Sequence, residues 1–408
     1  MATGPTPDEV MLTTLPSGLR VVTRRCEAAV EHCGVVAGVG SRDDDALAPG
    51  MAHFVEHTIF KGTARRTSSR IINRMESVGG ELNAYTTKEE TVVFTVAPSG
   101  NADRSLELVA DLITGSQFPE KELEKERDVV CDEIDSYLDS PADAVFDDFE
   151  DIIFAGTPLG HNILGTKEAV QSFSPEQCRE YLRKFYTAPN LVVFYSGPLA
   201  HDKAVAKVEK YFASLPTEPA PARIRAEIKH VSFNETRNIG SHQAHTVMGA
   251  ILPDMHSPER YAYALLSNIL GGPGMNSLLN VALREKRGLV YSVEASSAFL
   301  SDTGLFTIYF GCDPDDASRC ARLVSDTIRR TAGLTDTRLQ LAKKQYMGQM
   351  TVARDNRESV IISAARNALY YNKVYSFRSV FDRIHSVGTE NIVEATENLL
   401  NLNRLIFI

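Results

Sequence analysis

"GGELNAYTTKEETVVFTVAPSGNADRSLELVADLI", Gly79 to Ile113, is echoed by "RGLVYSVEASSAFLSDTGLFTIYFGCDPDDASRCARLVSDTI", Arg287 to Ile328. Each stretch reads as a glycine turn, a strand, a polar hairpin, a second strand ("VVFTV" against "GLFTI"), a polar or acidic loop, and a helix carrying "LVADLI" or "LVSDTI". The separation of about 210 residues is too long for a solenoid repeat and points to an internal duplication; the alternative is chance likeness between two α/β segments. Strands fall at the start and middle of each half with helices grouped between them. The expected fold class is therefore α+β: two homologous α/β-layer domains, each a mainly antiparallel sheet packed with helices.

Working outward, the halves are divided by "SLPTEPAPARIRAE", Ser214 to Glu227, where three prolines break the periodicity and favour an extended connector. The expected domains are 1–215 and 227–408 with a linker at 216–226. A chain of 408 residues is too long for one ordinary core. With 43% apolar and 24% charged residues it reads as globular, and a net charge of −10 without a basic stripe argues against a nucleic-acid surface. No run approaches the length of a membrane span, and "MATGPTPDEVMLTTLPSG" has neither a signal peptide's nor a transit peptide's pattern, so a cytoplasmic location is expected, or an organelle matrix if a presequence has been removed. Six cysteines are scattered with no C-x-x-C pair, which suits small core residues better than a zinc knuckle or disulfide framework. No G-x-G-x-x-G opens a helix after the first strand, and "LGGPGMNS", 270–277, lacks the ending of a phosphate loop; it reads as a turn.

The chemistry concentrates in "GMAHFVEHTIFKGT", 50–63. Pro49 and Gly50 can start a helix and Gly62 can stop it, which puts His53 and His57 one turn apart on one side. Both imidazoles can then reach one ion, and Glu56, between them, can accept a proton from a water on that ion. Catalytic zinc takes three protein ligands and keeps one open position, so a third donor must come from elsewhere. "PEKELEKERDVVCDEIDSYLDSP", 119–141, is helical by composition, with an apolar stripe through Leu123, Val130, Ile134 and Tyr137. Glu126 and Glu133, two turns apart, fall on or beside that stripe; ordinary solvated glutamates are the alternative reading. In the second half, Arg284 reads as a last-turn helix cation and Tyr291 as a half-buried strand aromatic. His242 and His245, three apart in an alternating stretch, point to opposite faces and do not suggest shared ligation.

These motifs resemble the inverted-motif zinc peptidases, the pitrilysin or insulinase (M16) family, which includes the mitochondrial processing peptidases and their small two-domain bacterial relatives. "HFVEHTIFKGT" with a glutamate at 133, 75 residues lying between it and His57, carries the likeness, and "LPSGLRVV", "GSRDDDALAPGMAHFVEH", "GGELNAYTTKEETVVF" and "PLGHNILGT" extend it along most of the chain. Where relatives often carry Met-Leu after the motif, this chain has Thr58 and Ile59, a change expected to touch packing more than chemistry.

The resemblance implies one Zn2+ per chain held by His53, His57 and Glu133, with Glu126 orienting a ligand from behind and Glu56 as general base on the zinc-bound water. It implies a metalloendopeptidase acting on short or unfolded peptides, with Arg284 and Tyr291 binding the substrate backbone and stabilising the oxyanion. "ELNAYTT" reads as an edge strand to which a peptide can add, with Asn83 and Ala84 as contacts. Large relatives carry four such domains, and this chain has two. A homodimer is thus implied, with Arg284 and Tyr291 of one subunit completing the zinc site of the other. The alternative function is a non-catalytic assembly subunit, like processing-peptidase partners or respiratory core subunits of this fold, which tend to lose the motif that this chain keeps.

Overall fold

The computed structural model describes residues 10–228 and 231–408. The first sheet is built from β1 (Val10–Thr14), β2 (Arg20–Arg25), β3 (Val30–Ala37), β4 (Glu81–Thr86), β5 (Thr91–Pro98) and β6 (Leu191–Gly197), in the order β1-β2-β6-β3-β5-β4. The second is built from β7 (Asn234–Arg237), β8 (Ala244–Leu252), β9 (Val290–Phe299), β10 (Gly304–Cys312) and β11 (Asn403–Phe407), in the order β7-β11-β8-β10-β9. Without β1, the two orders superimpose strand for strand. In each sheet only one pair is parallel, β2 with β6 and β7 with β11, and the remaining pairs are antiparallel. The duplicated sequence segments are β4, β5 and the helix Ala102–Gly115 in one case, and β9, β10 and the helix Ala317–Thr331 in the other. The α+β reading with mainly antiparallel sheets therefore holds.

Period-two alternation sends each strand's side chains to two different cores. In the first sheet Val21, Cys33, Val35 and Val93 face one core, while Val22, Val36, Val92 and Phe94 face Ile361, Ala365 and Ala368 of the helix Arg357–Tyr371. In the second, Met248, Phe306 and Ile308 face one core, while Val247, Leu305 and Leu405 face Val145 and Phe149 of the helix Pro141–Ile153. The central strands of both sheets are buried on two faces, which explains their nearly unbroken apolar runs, while the edge strands β4, β7 and β9 stay partly exposed.

Those two helices set the compact units apart from the continuous halves 1–215 and 227–408 expected from the sequence. One unit gathers the described residues up to Ile134 with Asn162–Ile224 and Arg354–Tyr375; the other gathers Asp135–His161, Arg225–Ala353 and Ser376–Ile408. Each sheet's second face is thus covered by a helix from the other half of the sequence. The connector is irregular, as its prolines suggest, but its end is pinned: the Arg223 guanidinium donates to Asp43 Oδ2 at 2.9 Å and to the carbonyls of Gly38 and Glu89. All six cysteines are free thiols, five of them buried.

Candidate metal centre

The helix Met51–Thr58 carries both histidines. Gly50, at φ +99, turns the chain into it, and the approach is tight because a Cβ on Gly50 would meet the Leu164 carbonyl oxygen at 2.6 Å. The helix has no capping side chain of its own. Asp44 supplies the cap from six positions upstream, accepting from the N–H of Gly50 at 2.9 Å and of Ala52 at 3.0 Å. The helix ends at Thr58, so Gly62 is not its stop as the spacing suggested; Gly62 instead pairs with Thr67 in an isolated bridge. Thr58 and Ile59 are buried, and the Thr58 hydroxyl donates to the Phe54 carbonyl at 2.6 Å, a packing role as expected.

The helix Glu120–Leu138 brings the carboxylates. Its buried face runs Leu123, Glu126, Val130 and Ile134, spaced at helical intervals. Tyr137, expected on that stripe, is 43% exposed, because the face drifts away from the core in the last turn. Glu126 is buried, so it is no ordinary solvated glutamate, whereas the Glu133 side chain stays 34% exposed.

Glu133 Oε2 lies 3.3 Å from His57 Nε2 and 3.7 Å from His53 Nε2. Among the described residues this is the one group of three His, Cys, Asp or Glu whose ligand atoms all lie within 4.8 Å of one another. Donors bound at about 2.0–2.1 Å around a tetrahedral zinc stand about 3.3–3.4 Å apart, so the measured separations suit that ion. The donor set, two imidazoles and one carboxylate, is also one that catalytic zinc takes. All of these residues belong to the first unit.

Electrostatics favour the neutral, ligating form at His53 and the protonated form at His57. Burial, and then the neighbouring His57 ring, lowers the His53 pKa to about 3, which leaves a neutral imidazole with a lone pair to give. Its Nδ1 is buried without a hydrogen-bond partner. At His57 burial works downward, but Glu126, Glu133 and Glu56 outweigh it and the pKa is raised. Glu126 Oε2 faces His57 Nδ1 at 3.5 Å, and Lys61 Nζ stands 2.6 Å from Glu126 Oε1. Burial would raise the Glu126 pKa, yet His57 and Lys61 bring it below the usual value. A carboxylate behind Nδ1 holds the proton there and leaves Nε2 free to ligate.

Glu56 sits between the histidines, and burial raises its pKa against the hydrogen bonds that Thr86 makes to it through side chain and backbone. Thr86 ends β4, an edge strand of the sheet as the sequence suggested; Asn83 on it is exposed and Ala84 half-buried. Arg284 and Tyr291 belong to the second unit. Arg284 lies next to the end of the π-helical turn Asn280–Glu285, and Gly288, at φ +61, leads into β9. Tyr291 is 69% exposed, not half-buried, since the edge strand β9 turns it away from the core. His245 bonds to the Tyr309 hydroxyl at 2.9 Å, and His242 lies outside β8.

Three supporting residues went unread in the sequence. Lys61 is four positions past His57, on the same side of the chain; Thr86 follows "ELNAY"; Asp44 lies in the acidic run "RDDD" ahead of the helix. Helical spacing could have found Lys61. Asp44 caps the helix from only six positions before Gly50, and Thr86 acts through folding that brings a distant segment to the helix.

Comparison with known proteins gives a consistent picture. Residues 20–167 match the family model "Insulinase (Peptidase family M16)", and residues 172–346 match "Peptidase M16 inactive domain". An uncharacterized zinc protease of Mycobacterium leprae is 33% identical over 96% of this chain and 89% of its own length. One from Bacillus subtilis is 30% identical over 93% of both. The fold is shared with the peptidase M16 inactive domain structure from Pseudomonas fluorescens (TM-score 0.90, 20% identity, 98% and 97% of the two chains) and with a protease from Helicobacter pylori (TM-score 0.89, 21% identity, 98% and 100%).

Proposed function

We propose, from the premise that this chain belongs to the insulinase-type M16 family of zinc proteases, that it is an endopeptidase for short or unfolded peptides with its chemistry at His53, Glu56, His57 and Glu133. The observation that carries this is the convergence of one carboxylate oxygen, Glu133 Oε2, on both Nε2 atoms, with Glu56 on the turn between the rings. The inactive-type match of the second half accords with the lack of a second H-x-x-E-H there.

His53, His57 and Glu133 would hold one zinc, which supplies a Lewis acid able to acidify water and polarise a peptide carbonyl. Glu56, its pKa raised by burial, takes a proton from the attacking water and returns it to the leaving amine. Thr86 fixes the carboxylate at the end of β4 and so couples the base to the strand that receives substrate. One side of β4 pairs with β5, and its other edge offers main-chain groups to an extended peptide beside Asn83 and Ala84. Such binding reads backbone, so folded proteins are poor substrates.

Arg284 and Tyr291 are both exposed, with no partner among the described residues. A guanidinium and a phenol left free are good donors to the oxyanion that forms on attack. In this reading they act in a homodimer, on the site of the other subunit.

The test is metal content and cleavage of an unstructured basic peptide by the parent and by Glu56→Gln. The variant should keep its zinc and lose about 10²–10⁴ of kcat, the span general-base catalysis supplies. Cleavage at the parent's rate would reject Glu56 as the base.

A further inference from the structure

We propose that the second unit carries a binding site for a small amphipathic anion, an aliphatic chain ending in one carboxylate or phosphate. A cavity of 630 Å³ opens among the turn after the helix Arg260–Gly271, the π-helical turn Asn280–Glu285, and the helices Ala317–Thr331 and Asp336–Ala353. That volume lies in the range of small-ligand pockets. The site shares no residue with the metal centre and does not rest on the proposed activity.

Its charge is one-sided. Among the described residues Lys286, Arg287, Arg330 and Arg338 line it and no carboxylate does, although acidic residues outnumber Lys and Arg by 53 to 43 in the whole chain. None of the four has an ion-pair partner among the described residues. Arg287 donates to the Ala282 carbonyl at 2.7 Å, which leaves its charge uncompensated. Four like charges gathered at one concave surface raise the local potential and hold an anion there. Ser277, also in the lining, is 5% exposed, and its hydroxyl is buried without a hydrogen-bond partner. Buried hydroxyls are ordinarily bonded, so this one is a donor in reserve.

Between the cations the walls are aliphatic: Leu278, Val281, Leu334 and Leu341, the last 63% exposed. A bare inorganic anion would leave these walls unused. A neutral lipid would leave the cations unused. An acyl chain with an anionic head uses both, and each methylene it buries tightens binding about fourfold.

The test is calorimetric titration of the full chain with decanoate, decyl phosphate, acetate and decyltrimethylammonium, each kept below its micellar range. One-site binding of decanoate or decyl phosphate is expected, with acetate far weaker, and the tighter of the two heads identifies the ligand's head chemistry. Arg330→Gln with Arg338→Gln should weaken binding about tenfold or more, as removing charged hydrogen-bond donors does, and Leu341→Asp should weaken it too, both with unchanged circular dichroism. Equal binding of decyltrimethylammonium, parent-like binding by both variants, or no saturable binding at all would overturn the proposal.

Discussion

Lys61 Nζ stands 2.6 Å from Oε1 of Glu126, whose other oxygen faces Nδ1 of His57 at 3.5 Å. The ammonium helps keep Glu126 charged, and in the proposed zinc site it would act through two side chains, Glu126 and His57. Lys61→Met should weaken zinc binding by about tenfold, the lower end of what groups behind the ligands contribute. Chelator competition on the purified chain measures it. In a Glu126→Gln background the same substitution should add little, since the lysine has lost the group it positions; full additivity would show that Lys61 acts by another route.

Glu133 is the only carboxylate donor in the ligand group, so its loss leaves two imidazoles on one helix. Glu133→Ala should retain less than about a tenth of the parent's zinc after dialysis, because a third protein ligand is what catalytic zinc sites require. Chelation should lower the parent's melting temperature, since a ligand bound only to the folded state stabilises it. The variant's melting temperature should not respond to chelator. A variant that keeps stoichiometric zinc would remove Glu133 from the site.

Arg366, on the helix Arg357–Tyr371, forms an ion pair with the buried Glu90 and also reaches the Tyr85 hydroxyl at 3.2 Å. Burial raises the Glu90 pKa, with Arg366 opposing it. A raised carboxyl pKa favours the fold when the group is protonated; that contribution is complete below the unfolded value and fades as pH rises through the folded one. Arg366→Met removes the opposing cation and pushes the folded value higher. Because Arg366 is partly solvated, the expected loss is about 2 kcal/mol, not the full cost of stranding a deeply buried charge. Denaturation followed by circular dichroism should show a larger deficit at pH 8 than at pH 5. An equal deficit at both would mean that Glu90 does not titrate between them.

The same helix shows where sequence reading stops. Local patterns were legible: the repeated strand–hairpin–strand–helix units, the histidines one turn apart, and the glutamates beside an apolar stripe all follow from the periods of helix and strand. Which sheet an amphipathic helix covers is not written in its period. Arg357–Tyr371 and Pro141–Ile153 each present an apolar face that suits either sheet, and each packs against the sheet made mostly by the other half. The last turns of elements misled for a related reason, since Tyr137 and Gly62 continue a pattern that the core no longer enforces. Thr86 reaches the helix Met51–Thr58 only through tertiary folding.

If the site is completed across a two-fold dimer, complementation has a fixed arithmetic. One defective chain carries Glu56→Gln, and the other carries Arg284→Ala with Tyr291→Phe. Each homodimer should be inactive. After exchange, half of the dimers are mixed, and in each of these one site unites an intact Glu56 with an intact Arg284 and Tyr291, while the other site collects every lesion. One active site in half of the dimers gives about a quarter of the parent's activity per chain. The exposed Tyr291 and Arg284 side chains are substituted with little effect on folding, so the readout is peptide cleavage against mixing ratio, greatest at equal amounts. Activity that stays at the level of the separate variants, with subunit exchange shown by differently tagged chains, would place the pair within its own chain's site or outside the chemistry.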